Sequence, residues 1–300
     1  MGFRIGHGII SPVTSELRGG GLIRLRLGRS SAPAWAIPVW ATLCGAIASG
    51  GLSPTLTDGG RLLLTMLLVD AGWGPLWGAL ATTDWAAPLR RWRNWRLDTP
   101  IPPLPYVRPG SPGDRLARWL AQLWAWAKTV LAPVAGHGLG TTVAGLTLSL
   151  VLATALGPDL LMLTVGGLAL MQLALVTDRG RGQVSPGWDG PLRLGLPWLA
   201  GHLAFAPPTL PSAALAAAFS LTAAGAGSAH RPQGRALWAA GQLTAAALFL
   251  PLHRPLVVPF LALTLVPQLL LPGRSDNPHR WTRVAWAWLG TGMLLASWAV

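Results

Sequence analysis

The sequence predicts an all-α fold, a polytopic membrane helix bundle of about nine transmembrane helices with one further amphipathic helix at the membrane surface. Charged residues make up 11% of the 300 positions, whereas a soluble domain carries about 25%. The apolar residues form runs of 16 to 23 positions with hardly a charge inside. A helix of about 20 such residues crosses the hydrocarbon core of a bilayer. One soluble core could not bury so many helices that are apolar on every face.

The placement of arginine assigns a side of the membrane to each end of these runs. The predicted spans are 33–52, 60–82, 141–157, 158–177, 191–206, 209–227, 235–250, 254–271 and 281–299. With the N-terminus inside, 20 arginines fall in inside regions and 2, Arg61 and Arg254, fall outside. Inside segments of membrane proteins are enriched in basic residues. We therefore expect an integral protein of a bacterial inner membrane with a cytoplasmic N-terminus.

Residues 1–32 precede the first apolar run and are rich in arginine. They contain no apolar core of the kind that a signal peptide needs. We expect a basic cytoplasmic tail here, followed by a transmembrane helical domain over 33–300. The formal net charge of +13 would suggest nucleic-acid binding in a soluble protein. Because the basic residues lie between apolar runs, we expect the lipid bilayer and other membrane subunits as partners, and no nucleic acid.

Residues 112–135 are predicted to form an interfacial helix. Ser111 is a good helix cap, Pro112 suits the first helical position, and Asp114 places an acid in the first turn. The polar face contains Ser111, Arg115, Arg118 and Gln122. Such a pattern is typical of a helix that lies among lipid headgroups. Taking this segment as a tenth span would move the later basic loops to the outside, which the positive-inside rule disfavours.

Three short stretches suggest a family. They are Pro33 to Pro38 at the start of the first span, Ala71-Gly72 in the second, and Pro103-Leu104-Pro105 before Arg108. Together with the span count, they make the chain similar to the UbiA superfamily of intramembrane prenyltransferases, which includes the chlorophyll and haem O synthases. The resemblance implies nine helices and two Asp-rich cytoplasmic loops. In that family these acids hold metal ions that stabilise the departing diphosphate.

The chain departs from this family at both acidic motifs. The first motif, Asn-Asp-x-x-Asp-x-x-x-Asp, falls on Leu76, Trp77, Leu80 and Asp84, so a single acid remains. The second motif is expected over 225–235, which contains no acid. No Asp or Glu occurs anywhere between Asp189 and Asp276. Magnesium prefers oxygen ligands, which Leu and Trp do not supply. We therefore predict no metal site.

The remaining candidate residues lie mostly on the predicted cytoplasmic side. Asp70 is expected inside the membrane, either as a residual ligand or ion-pair member or as a protonated or hydrogen-bonded core group. Candidate contacts for phosphate or lipid headgroups are Arg90, Arg91, Arg93, Arg96, Arg179, Arg181 and Arg193. His202 in the fifth span is a candidate ligand for the metal of a chlorin or haem, with a hydrogen-bonded histidine as the alternative.

These features favour a UbiA-like protein that has lost its catalysis. It would be an accessory or assembly subunit of a photosynthetic or respiratory membrane complex. Its ligands would be an isoprenoid, a quinone, a carotenoid or the tail of a (bacterio)chlorophyll. One alternative is an active prenyltransferase with an atypical site around Asp70 and Asp84. Another is a transporter, for which inverted repeats and broken helices would be expected.

Overall fold

The computed structural model describes residues 32–82, 92, 108, 110–178, 185–226, 232–270 and 278–300. Within these ranges the regular structure is helical throughout, which confirms the all-α prediction for them. The helices are α1 (Ala32–Ala48), α2 (Leu56–Thr82), α3 (Pro112–Trp126), α4 (Ala132–Leu156), α5 (Pro158–Thr177), α6 (Leu196–Leu203), α7 (Leu210–Ala226), α8 (Pro232–Ala247), α9 (Val257–Leu270) and α10 (Pro278–Ala299).

Among the described residues, three helical segments are long and apolar enough to cross a membrane: α2, residues Gly138–Leu156 of α4, and α5. Each predicted span overlaps a helix, and several boundaries agree closely, as for 158–177 and α5. α9 starts at Val257 rather than at 254, because residues 250–256 form turns that include His253 at a φ of 57°. The other six predicted spans are helical but shorter or less apolar, so a total of nine spans stays a prediction.

The helix predicted at 112–135 exists, and it begins as the sequence indicates. The Ser111 hydroxyl accepts a hydrogen bond from the backbone N–H of Asp114, and Pro112 is the first helical residue. The helix does not end at 135, the end given by the prediction. A π-helical turn (Ala127–Leu131) joins α3 to α4, so helical structure continues from 112 to 156. The glycines at 136, 138 and 140 lower helix propensity, but the backbone hydrogen bonds continue through them.

α6 lies between two groups of buried apolar side chains. Trp198 belongs to the group formed with α1, α7, α8, α9 and α10. Ala200 belongs to the group formed with α2, α4 and α5. The contact between α1 and α6 is made by backbone, because a Cβ atom on Gly45 would lie 1.9 Å from the Trp198 carbonyl oxygen and one on Gly201 would lie 1.9 Å from that of Thr42. Small residues allow this close approach between helices.

The two arginines that the charge count places outside each bind the end of a helix. Arg61 donates to the carbonyl of Leu156 at 3.4 Å, at the end of α4. Arg254 donates to the carbonyl of Ala299, at the end of α10. Cations are favourable at helix C-termini, where carbonyl groups lack helical partners. Each contact joins two segments that the predicted topology assigns to the same side of the membrane.

Candidate functional site

Trp77 stands at the position where the resemblance expects the first motif's leading acid. It lies in α2, one turn beyond a π-helical turn (Leu68–Trp73), and its side chain is 3% exposed. Leu76 and Leu80, at two further motif positions, are also buried, in the same apolar group. The indole N–H of Trp77 donates to the Asp189 carboxylate at 3.0 Å. These positions therefore form packed core rather than a set of oxygen ligands.

Asp189 links Trp77 to one of the candidate phosphate contacts. Arg193 Nε lies 3.4 Å from Asp189 Oδ1, the same oxygen that accepts from Trp77. The two charged side chains are each about half exposed, so the pair adds little stability on its own. The main effect of the pair is to hold the Arg193 side chain beside Asp189 and Trp77. The structure brings Trp77 and Arg193 together through an acid that the sequence analysis did not select, and it gives the Arg193 guanidinium a carboxylate partner.

Two glycines hold the segment that carries Asp189 and Arg193 against α7. A Cβ atom on Gly190 would lie 2.1 Å from the carbonyl oxygen of Ser220, and one on Gly195 would lie 2.4 Å from the Ser220 hydroxyl. The backbone between them forms a π-helical turn (Pro191–Gly195) that leads into α6. Such turns are rare and often occur at functional sites. This close packing fixes the position of Asp189 beneath the end of α2.

Asp70 lies in the π-helical turn of α2, but it is not a core group. Its neighbours Leu68, Val69 and Trp73 are buried, while Asp70 is exposed. Among the described residues, no hydrogen bond or ion pair holds its carboxylate. The described residues therefore do not hydrogen-bond Asp70 in a core, and its other expected roles stay predictions. The π-helical turn changes the angle between successive side chains, which separates Asp70 from the buried face that contains Trp77.

His202 is fully buried, and both of its ring nitrogens have protein partners. Nε2 lies 3.0 Å from the Pro207 carbonyl oxygen, and Nδ1 lies 2.9 Å from Ser212 Oγ. A carbonyl only accepts, so Nε2 carries the proton and Nδ1 accepts from the Ser212 hydroxyl. Ser212 in turn accepts from the Trp198 indole at 3.0 Å. The structure thus favours the hydrogen-bonded histidine over the metal ligand, because neither nitrogen is available for a metal.

A second buried polar group connects α8 to α9. The side-chain amides of Gln242 and Gln268 donate to each other's oxygen atoms, at 2.9 and 3.0 Å. The Gln268 oxygen also accepts from the Trp238 indole at 2.6 Å. Polar side chains that pair across helices stabilise association inside a membrane. Two glutamines within predicted apolar spans were a signal for this pair that the sequence analysis did not use.

Several candidate residues lie outside the described residues: Asp84, Arg90, Arg91, Arg93, Arg96, Arg179 and Arg181. Across the parts of the chain that are described, no three residues of the types His, Cys, Asp and Glu come close enough to hold a metal ion.

The sequence contained one indication of the ion pair between Asp189 and Arg193. The two residues are four positions apart, and residues with this spacing on a helix are neighbours.

Comparison with known proteins finds no matching family model, no matching curated protein and no matching solved structure.

Proposed function

We propose that this chain is a UbiA-like membrane protein without prenyltransferase chemistry, and that it serves as an accessory or assembly subunit of a larger membrane complex. The observation that carries the proposal is the environment of Trp77. A prenyltransferase of the resembled kind needs a carboxylate there to hold a metal ion. Here a buried indole occupies the position and donates a hydrogen bond to the nearby Asp189 carboxylate.

The chemistry supports this loss of function. A metal ion that bridges a protein to a diphosphate needs several oxygen ligands in defined geometry. Leu76 and Leu80 are buried in apolar packing beside Trp77, so a metal ion at this position would meet hydrocarbon. The sequence of the second motif, over 225–235, offers no acid to complete such a site. A photosynthetic or respiratory complex of a bacterial inner membrane would be the natural setting.

The proposed topology has nine spans and a cytoplasmic N-terminus. The arginine distribution supports it, and so do the roles of Arg61 and Arg254. These two are the exceptions to the positive-inside split, and both are bound to helix ends instead of being free surface charges. Under this topology the hydrogen bonds of Trp77, Asp189 and Arg193 lie at the cytoplasmic end of the bundle, while the His202 group lies at the opposite end.

The ligand we propose is the apolar part of an isoprenoid, quinone, carotenoid or chlorin. A long hydrocarbon chain needs only apolar surface, which exposed side chains such as those of Val151 and Leu173 supply. Because both nitrogens of His202 have protein partners, we do not assign it to the central metal of a pigment. Binding through the tail leaves a pigment's ring and metal to be held by another subunit.

The test is purification from native membranes in a mild detergent, followed by mass spectrometry and an absorption spectrum. The proposal expects stoichiometric partner subunits, and extraction should release an isoprenoid-type compound. The purified protein should show no magnesium-dependent transfer from prenyl diphosphates to an aromatic acceptor. Measurable transfer, or a protein that elutes alone and without ligand, would overturn the accessory role.

A further inference from the structure

One face of α2 carries an acid toward the outside of the fold. Leu63, Leu67, Asp70 and Gly74 follow one another along α2 at intervals of three or four residues. All are exposed, Leu63 to 59% and Leu67 to 42%. Residues on the other side of the same turns, such as Leu68 and Trp73, are buried. We name these four residues the Asp70 face.

Asp70 lies deep within the part of α2 that would cross the membrane. The helix has 27 residues and, within the part of the chain that the structure describes, is one of three segments long and apolar enough to span. Asp70 lies about 21 Å along its axis from Leu56, at a rise of 1.5 Å per residue. An ionisable group at that depth is costly unless it meets a partner, and such residues usually mark a functional contact. The described residues supply no such partner.

We propose that the Asp70 face binds a transmembrane helix of a partner subunit, and that this helix places a lysine or arginine against Asp70. The inference rests on the proposed accessory role and locates its interface. A basic group suits this position because it both donates to the ionised carboxylate and neutralises its charge within the membrane. Gly74 has open space above it, since a Cβ there would meet only its own helix's Val69 carbonyl, at 3.5 Å. A partner helix can therefore approach closely beside the acid.

A second copy of this chain does not fit the face. Its arginines lie in loops or within three residues of the start of a predicted span, as Arg61, Arg193, Arg235, Arg254 and Arg283 do. None of the nine predicted spans contains a lysine. His202 lies inside a span, but its two nitrogens are already bonded within the fold. Two copies would therefore bring two carboxylates together without a cation at that depth.

The single cysteine, Cys44, is buried and free, which allows a clean cross-linking experiment. In a Cys44→Ala background, Leu67→Cys would carry a photoactivatable benzophenone on the Asp70 face. Val151→Cys is the matched control, because Val151 is 60% exposed and lies on α4, another candidate span. In native membranes we expect the label at 67 to join one partner chain within a transmembrane helix that contains lysine or arginine. The label at 151 should give no such product.

A second set of variants tests the charge itself. Asp70→Leu should lower recovery of the partner by about tenfold or more, while the thermal unfolding of the isolated chain stays unchanged. Exchanging the charges, with Asp70→Lys here and the partner's basic residue changed to Asp, should restore recovery. Unchanged recovery with Asp70→Leu, or a cross-linked helix without a basic residue, would overturn the interface and leave the accessory role standing. If the unaltered protein retains no partner at all, both proposals fail.

Discussion

The hydrogen bond between the indole of Trp77 and the carboxylate of Asp189, 3.0 Å long, connects residues 112 positions apart in the chain. It ties the end of α2 to the segment that leads into α6. The same carboxylate oxygen also binds Arg193. The Asp189 carboxylate, the Arg193 guanidinium and the Trp77 indole could each bind a ligand, but here they interact with one another.

Restoring an acid at this position should not restore catalysis. Trp77→Asp removes a buried indole and places a carboxylate beside Asp189, so we expect a loss of about 3 kcal/mol or more in stability. Magnesium-dependent prenyl transfer should stay absent. Trp77→Phe is the matched control. It keeps most of the buried ring and should cost only about 1 kcal/mol, for the lost hydrogen bond. Thermal unfolding in detergent measures both, and turnover by Trp77→Asp would contradict the interpretation.

The backbone contact between α1 and α6 should tolerate no side chain at Gly201. The added methyl group of Gly201→Ala would lie 1.9 Å from the carbonyl oxygen of Thr42. The two helices would have to separate, at a cost of about 1–3 kcal/mol. Gly166→Ala is the control, because nothing lies within 4 Å of its Cβ position. That variant should unfold at the wild-type temperature or above it, since alanine favours helix over glycine.

The hydrogen bonds that join Trp198, Ser212 and His202 should depend on the Ser212 hydroxyl. Ser212→Ala leaves the Trp198 indole and His202 Nδ1 without their partner, and we expect a loss of about 1–3 kcal/mol. Ser220→Ala in the same helix is the control. Its hydroxyl bonds only to the Ala216 carbonyl one turn earlier, so its removal should have a smaller effect. Equal losses in thermal stability would argue against the His202 hydrogen-bond group.

The start of α3 should loosen at acid pH. The pKa of Asp114 is lowered from its usual 3.8, chiefly because the Arg118 side chain donates to it and also because the Gly110 backbone N–H does. A lowered pKa contributes stability that is present above about pH 4 and is lost as the pH falls through the folded-state pKa. As the pH is lowered below about 4, hydrogen exchange of the peptide over 108–120 should therefore become faster relative to that of other helical peptides. Asp114→Asn should already exchange faster at neutral pH and show little further dependence on pH.

Apolar runs and capping residues in the sequence predicted the helices well, because both act through neighbours along the chain. The start of α3 at Ser111 and Pro112 is an example. Contacts between distant segments were not predictable in this way. Nothing local in the sequence links Trp77 to Asp189, and nothing marks Gly45 and Gly201 among 37 glycines as a pair. Asp70 lies in a π-helical turn, which inserts one residue into a helical turn and has no simple sequence signature.

The unbroken helical run from 112 to 156 has a mechanical consequence. Its 45 residues would measure about 67 Å at 1.5 Å per residue, more than twice the hydrocarbon thickness of about 30 Å. If Gly138–Leu156 crosses the bilayer, the rest of the run extends about 39 Å beyond that span along the helix axis. A tilt of the membrane-embedded part by 10° would then swing the tip near Asp114 by about 7 Å, by the geometry of a rod of that length. The π-helical turn at Ala127–Leu131 lies between α4 and α3, so it would either transmit this motion to α3 or bend and reduce it.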